Sequence, residues 1–117
     1  VHWYSVYSRR TQKKRAMLNH AFQKIIDSET PVLVDFYADW CGPCRMMPPV
    51  LKELKDRMGD QIKIFKVNVD EHNDVAAHFQ VSSIPTLMVF KKGDLLWRGP
   101  GVKNVSQLQQ ILQMHVS

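Results

Sequence analysis

The feature that most constrains this chain is the position of its two cysteines, Cys41 and Cys44, at the junction of two different hydrophobic patterns. The apolar run from Pro31 to Phe36 predicts a buried central strand before them. The spacing of apolar residues from Cys44 to Met58 predicts an amphipathic helix after them. Two cysteines separated by two residues either supply half of a four-ligand metal site or form and break a disulfide with each other.

A metal site is the weaker of these two interpretations. Zinc would need two further good ligands, and the chain has no third cysteine. His72 and His78 do not have the i, i+4 spacing. The remaining histidines are scattered along the chain: His2, His20 and His115. We therefore expect redox chemistry and no bound metal.

Length and composition are those of one globular domain. The chain has 117 residues, of which 44% are hydrophobic, so it can bury a core of ordinary size. No apolar stretch approaches the ~18 residues of a membrane-spanning helix, so we expect no membrane span. Two cysteines also argue against a secreted scaffold held together by disulfides.

The positive charge of the chain lies in its first part. Residues 1–26 contain six basic residues and no acidic ones, whereas the rest of the chain is nearly neutral. Such a segment is either a solvated extension, a contact for an anionic surface such as a membrane or nucleic acid, or the remnant of a targeting peptide. We expect residues 1–18 to be a basic extension or an atypical first strand, and residues 19–117 to be the folded domain.

The pentapeptide from Trp40 to Cys44, WCGPC, is identical to the active-site motif of the thioredoxin family. Other segments resemble landmarks of that family in order and spacing: Lys66–Asp70, Ile84–Thr86, Lys92–Gly93 and Gly101. The resemblance covers roughly residues 19–116. It implies an α/β thioredoxin fold, with a central mixed β-sheet of four or five strands flanked by helices on both faces.

Hydrophobic patterning predicts the order β-α-β-α-β-α-β-β-α, with the first strand the least defined. That strand is either displaced to residues 2–7 or replaced by an early helix over residues 16–28. The remaining predictions are strands at 31–38, 61–70, 84–90 and 95–98, and helices at 44–58, 72–80 and after an Asn104 cap. Pro48 and Pro49 would lie inside the second helix and kink it. The resemblance implies that the Ile84 strand is antiparallel to its neighbours.

Asp35 interrupts the apolar strand before the cysteines. A carboxylate in such a run is costly to ionise, so we expect its pKa to be raised, unless it faces solvent or a partner lysine. It resembles the family's buried aspartate, which implies a proton-handling role beneath the cysteines. Lys66 is either a surface lysine or, as the resemblance implies, the charged partner of Asp35.

The two cysteines should have different roles. Cys41 lies at the start of a helix, where unpaired N–H groups and the helix dipole favour a thiolate. It should attack a substrate disulfide, and Cys44, one turn further in and more buried, should resolve the mixed disulfide with Asp35 as base. The resemblance adds a rim that receives the substrate backbone and a cis proline at position 85. This substrate-binding rim consists of Trp40, Gly42, Pro43, Ile84, Pro85 and Gly101.

Three functional hypotheses follow. The first is a cytoplasmic, monomeric protein-disulfide reductase recharged from NADPH by a thioredoxin reductase. The resemblance favours it, because the Gly-Pro pair between the cysteines is similar to that of the family's reducing members. The second is an exported or organellar protein, in the periplasm or mitochondrial matrix, that acts as a dedicated reductant, oxidant or isomerase. The third is a non-catalytic binding subunit. None implies a metal, an organic cofactor or nucleic acid, and fold alone does not decide among them.

Overall fold

The computed structural model describes residues 20–117. Over this range the chain forms four α-helices and four strands. In chain order they are α1 (His20–Ile26), β1 (Val32–Tyr37), α2 (Met47–Met58), β2 (Lys63–Asn68), α3 (Asn73–His78), β3 (Thr86–Lys91), β4 (Asp94–Pro100) and α4 (Val105–Gln113). Short 3-10 turns precede and follow α2, at Pro43–Met46 and Gly59–Gln61.

The strands form one mixed sheet in the order β2-β1-β3-β4. Strand β1 pairs with β2 in parallel and with β3 in antiparallel orientation, and β3 pairs with β4 in antiparallel orientation. The predicted mixed sheet and the antiparallel β3 are therefore confirmed. Strand β1 lies between two neighbours, so the segment that leads to the cysteines is anchored on both sides.

Alternate side chains of β1 enter two separate cores, one on each face of the sheet. Leu33 packs with residues of α2 and α4, whereas Val34 packs with residues of α1 and α3. Both side chains are fully buried. The prediction of helices on both faces is confirmed, and it explains why the β1 sequence is apolar almost throughout.

The second predicted helix differs from the structure at its start. The segment begins as the 3-10 turn Pro43–Met46, and α2 itself starts at Met47. Pro48 and Pro49 therefore lie in the first turn of α2, where a missing N–H removes no intrahelical hydrogen bond. The prediction that they lie inside a continuous helix is wrong, because the apolar pattern runs across the junction.

Most other differences concern the ends of elements. The structure places β2 at Lys63–Asn68 and α3 at Asn73–His78, shorter than predicted at both ends. Strand β3 begins after Pro85, at Thr86, since proline has no N–H for the ladder. The predicted cap of α4 is confirmed, because Asn104 and Gln107 each accept a hydrogen bond of 2.9 Å from the other's backbone N–H.

The least defined prediction falls mostly outside the described residues. A strand at residues 2–7 and the first part of a helix at residues 16–28 precede His20. What the structure describes of that helix is α1, which ends at Ile26. Within residues 20–117 no helix is long and apolar enough to cross a membrane.

Candidate active site

The two cysteines are joined by a disulfide at the point where β1 leads into the 3-10 turn before α2. Their Cα atoms are 5.3 Å apart. The backbone N–H of Cys44 donates a hydrogen bond of 3.2 Å to Cys41 Sγ. A donor in this position stabilises negative charge on that sulfur, as does the start of the helix. The geometry therefore favours Cys41 as the thiolate of the pair.

Burial does not distinguish the two cysteines. Each is 4% exposed, so the expectation that Cys44 is the more buried is wrong for this disulfide form. The reason is that both cysteines belong to the same small buried cluster, which also contains Ala38 and against which Ile84 packs. Gly42 and Pro43, between the cysteines, are exposed and leave the disulfide approachable from this side.

The segment before β3 meets the cysteines from the other side of the site. The Ile84–Pro85 peptide bond is cis, which agrees with the expectation for Pro85. The carbonyl oxygen of Ile84 lies 3.7 Å from Cys41 Sγ. The N–H of Gly101, at the end of β4, donates a hydrogen bond of 2.8 Å to the Pro85 carbonyl oxygen. This bond couples the β3 and β4 ends of the rim.

Gly101 adopts a φ of +83°, a region that favours glycine over other residues. A Cβ built at this position would meet no atom within 4 Å. The residue type is therefore explained by the backbone conformation and not by crowding within the described chain.

Trp40 is 70% exposed, and its indole Nε1–H donates a hydrogen bond of 2.8 Å to Asp70 Oδ2. The side chain of Asn68 in turn accepts hydrogen bonds from the N–H groups of Asp70 and Glu71, at 2.9 and 3.3 Å. This turn after β2 thus holds the carboxylate that orients the exposed indole. Sequence reasoning assigned no role to Asp70, although it belongs to one of the landmark segments.

Asp35 is fully buried in β1, and neither of its carboxyl oxygens has a hydrogen-bond partner among residues 20–117. Burial away from water raises the pKa of this carboxyl from its ordinary 3.8 to about 6, and the positive charge of Lys66 opposes the rise. The expected direction of the pKa shift is confirmed, and the alternative that Asp35 faces solvent is wrong. Asp35 shares the sheet face of Leu33, which packs against α2.

Lys66 lies beside Asp35 in the β1–β2 ladder but forms no ion pair with it. Its exposed ammonium lies over the ring of Tyr37, with Nζ 4.4 Å from the ring centroid. Lys66 therefore acts on Asp35 through its charge and not through an ion pair. In this position the ammonium interacts with the aromatic face and stays in contact with water. Moving it beside the buried Asp35 would remove that water, which is unfavourable for a charged group.

Metal ligands are not gathered at this site. Among residues 20–117, no group of three or more His, Cys, Asp or Glu side chains could hold a metal ion. What the fold does bring together are the disulfide, the exposed indole and the Pro85 and Gly101 turns. Asp35 lies on β1, the strand that leads to the disulfide.

A redox-active Cys-x-x-Cys between a central strand and a helix, facing a proline turn, defines a thiol–disulfide oxidoreductase. A family model described as Thioredoxin matches residues 13–114. The chain is 46% identical over 94 residues to thioredoxin 1 of Nostoc sp., covering 80% of this chain and 88% of that protein. It is 47% identical over 89 residues to thioredoxin of Bacillus subtilis, covering 76% and 86%.

A solved structure supports the same family assignment. A mutant thioredoxin from Halobacterium salinarum superimposes with a TM-score of 0.77 at 29% identity, covering 85% of this chain and 86% of that chain. The chain belongs to the thioredoxin family. It is a protein-disulfide oxidoreductase whose redox-active group is the Cys41–Cys44 disulfide.

Proposed function

We propose that this protein reduces protein disulfides in two exchange steps. The Cys41 thiolate attacks one sulfur of the substrate disulfide, forming a mixed disulfide and releasing the first substrate thiolate. The Cys44 thiolate then attacks Cys41 Sγ, which releases the second substrate thiolate and forms the Cys41–Cys44 disulfide. Two electrons pass to the substrate. The observation that carries this assignment is the hydrogen bond from the Cys44 N–H to Cys41 Sγ.

Asp35 is the proposed base for the second step. Cys44 must lose its proton before it attacks, and a buried carboxyl with a pKa of about 6 is ionised at neutral pH yet still basic enough to accept a proton. Neither carboxyl oxygen is engaged by another described group, so both are available to a proton donor or to water. Lys66 modulates this pKa through its charge.

An extended substrate segment would bind across the exposed rim around the disulfide. Trp40 offers a large apolar surface held by Asp70, and the turn at Pro85 places backbone beside Cys41 Sγ. The proposed contacts are the six residues predicted for this role: Trp40, Gly42, Pro43, Ile84, Pro85 and Gly101. They come from three separate segments of the chain. The 3.7 Å distance from the Ile84 carbonyl oxygen to Cys41 Sγ and the hydrogen bond from the Gly101 N–H to the Pro85 carbonyl oxygen support this proposal.

The electrons would come from NADPH through a thioredoxin reductase. We propose a monomer of the cytoplasm, with residues 19–117 as the catalytic domain, residues 1–18 as a basic extension or an atypical first strand, and no nucleic-acid partner. That the relatives described above are bacterial thioredoxins supports the cytoplasm as the compartment. Relatives named as mitochondrial, from mouse, and chloroplastic, from rice, at 38% and 36% identity, make an organelle the alternative.

The test couples the full chain to NADPH, a bacterial thioredoxin reductase and a protein disulfide. We expect NADPH oxidation that depends on the chain and is abolished by Cys41→Ser. The variant Cys44→Ser should accumulate a mixed disulfide on Cys41 that a thiol reagent releases. A Cys41→Ser variant that still turns over would contradict the proposed roles. Exposed Ser106, replaced by alanine, is the matched control.

A further inference from the structure

Tyr37, the last residue of β1, contacts two parts of the redox site. Its side chain is half-buried and packs against the small cluster that contains both cysteines. The Lys66 ammonium lies over the same ring, 4.4 Å from the ring centroid. Tyr37 therefore connects the surroundings of the disulfide with the charge that acts on Asp35.

Asp35, Tyr37 and Lys66 lie on one face of the sheet. Residues two apart on a strand share a face, so Tyr37 follows Asp35 on the face that α2 covers. Lys66 is the register partner of Asp35 on β2 and shares the face of Ile64, which packs against the same core as Leu33. The Lys66 side chain thus starts beside Asp35, and its ammonium lies toward the cysteine end of β1, over Tyr37.

The ring of Tyr37 is the described group that fixes the Lys66 ammonium. Lys66 is exposed and makes no ion pair with any residue of the range 20–117. An exposed cation–π contact is weak, yet it favours one position of a long, flexible side chain over the many that reach into water. Without the ring, the ammonium would spend more time in water, where its charge is screened from Asp35.

The other charged groups on this face of the described sheet are exposed. On β3 the register partner of Asp35 is Leu87, and α4 contains no charged residue. The buried side chains of α2 are apolar: Met47, Leu51, Leu54 and Met58. Its charged side chains are exposed: Lys52, Glu53, Lys55, Asp56 and Arg57. Asp39 and Arg45, beside the cysteines, are exposed too. Within this range, burial and the charge of Lys66 determine the pKa of Asp35.

We propose that Tyr37 is a positioning residue, whose ring holds the Lys66 ammonium near Asp35 and so keeps that carboxyl ionised for its role as base. The proposal rests on the function proposed above for Asp35. Loss of the ring would weaken the influence of Lys66, so the pKa of Asp35 would rise further above its ordinary value. A smaller fraction of the protein would then have the base ready at neutral pH.

Two other roles of Tyr37 lead to different results. If the ring only fills space beside the cysteines, its loss changes the packing in the same way whether or not Lys66 is present. If the ring keeps the ammonium away from Asp35, its loss allows an ion pair to form, and the pKa of Asp35 falls.

The test measures the pKa of Asp35 in the full chain from the pH dependence of its carboxyl-carbon NMR signal. The oxidised protein is used, because disulfide-bonded cysteines do not titrate. We expect Tyr37→Leu to raise this pKa by about 0.4, Lys66→Gln to raise it at least as much, and Tyr37→Phe, which keeps the aromatic face, to leave it unchanged. Lys63→Gln is the matched control, since Lys63 lies on the same strand but on the opposite face and should leave the pKa unchanged.

The double variant Tyr37→Leu/Lys66→Gln separates positioning from packing. We expect Tyr37→Leu to have no effect on the pKa of Asp35 once Lys66 is replaced. An equal rise with and without Lys66 overturns the proposal, as does an unchanged or lowered pKa in Tyr37→Leu. The natural protein provides a check that needs no variant. The ring current of Tyr37 should shift the NMR signals of the methylene next to Lys66 Nζ, and unshifted signals overturn the proposal as well.

The rate of mixed-disulfide resolution separates this proposal from the role of Asp35. At about pH 5.5 we expect Tyr37→Leu to slow resolution about twofold, with its pH profile displaced upward by the same amount as the pKa, and Tyr37→Phe to behave as the natural protein. A raised pKa with an unchanged pH profile would confirm that Tyr37 positions Lys66 and would contradict Asp35 as the base.

Discussion

The backbone N–H of Cys44 points at Cys41 Sγ across 3.2 Å, although the two cysteines are equally buried at 4% exposure. Exposure therefore does not make one sulfur the nucleophile. The asymmetry lies in the hydrogen bond, which stabilises a thiolate on Cys41 and offers nothing equivalent to Cys44. The difference between the attacking and the resolving residue thus originates in the local backbone path from the strand into the helix.

This asymmetry predicts the order of alkylation in the reduced protein. We expect iodoacetamide to modify Cys41 at least about tenfold faster than Cys44 at neutral pH, because the thiolate is the reacting form. Mass spectrometry of the peptides formed at short times measures the ratio. Faster modification of Cys44 would show that the hydrogen bond does not decide the roles.

Asp35 predicts an unusual dependence of stability on pH. The pKa of this carboxyl is about 6 in the folded protein, above its ordinary 3.8. In the pH interval between these two values the folded state therefore keeps a proton that the unfolded state has lost. Raising the pH through this interval therefore destabilises the fold, by about 3 kcal/mol in total. The variant Asp35→Asn carries no charge, so we expect it to unfold at higher urea concentration than the natural protein at pH 7.

The gain from Asp35→Asn should shrink to a small fraction as the pH is lowered to about 4, where the natural carboxyl is protonated in the folded state and about half protonated in the unfolded state. Asp56→Asn is the control, since Asp56 is exposed on α2. Urea unfolding of the oxidised proteins across the pH range provides both comparisons. An Asp35→Asn gain that is equal at pH 4 and pH 7 would mean that ionisation of Asp35 is not its cause.

The same Asp35→Asn substitution should slow the chemistry while it stabilises the fold. Without a base, we expect resolution of the mixed disulfide to slow about 100-fold. Alkylation of Cys41 should change little, because this reaction does not need Asp35 as a base. Rapid mixing with a small aromatic disulfide follows the two steps separately. Equal slowing of both steps would indicate a general disturbance of the site.

The hydrogen bond between Trp40 and Asp70 predicts that loss of the Asp70 carboxylate weakens substrate binding and leaves the reactivity of the cysteine pair unchanged. Replacing Asp70 by alanine removes the acceptor of the Trp40 indole, so the exposed ring samples other positions. We expect kcat/KM for a protein disulfide to fall about fivefold, mainly through KM, with alkylation of Cys41 unchanged. Glu71→Ala is the matched control, because the Glu71 side chain is exposed and the described contacts involve only its N–H. Equal losses in both variants would refute the role of Asp70.

Features that depend on short stretches could be predicted from the sequence. The strand before Cys41 and the raised pKa of Asp35 follow from a single apolar run, and the α4 cap follows from two residues three apart. The cis bond at Pro85 came from the family resemblance, since the sequence by itself does not distinguish the isomers.

Features that join distant segments could not be predicted. Trp40 and Asp70 are 30 residues apart, and no periodicity pairs an exposed indole with one particular carboxylate. The position of Lys66 over Tyr37 depends on the rotamer of its long side chain. Both Asp35 and Tyr37 are its neighbours, and a sequence pattern does not indicate which of the two the ammonium contacts. The start of α2 could not be placed because an apolar pattern does not distinguish a 3-10 turn from an α-helix.

The reduction potential of the Cys41–Cys44 couple tests the central claim most directly. Equilibration of the full chain with glutathione buffers, followed by alkylation, measures the reduced fraction. We predict a potential near that of the reference thioredoxin, about −270 mV, as a reductant of protein disulfides requires. A value between about −180 and −120 mV, typical of isomerases and oxidants, would contradict the proposed direction of electron transfer.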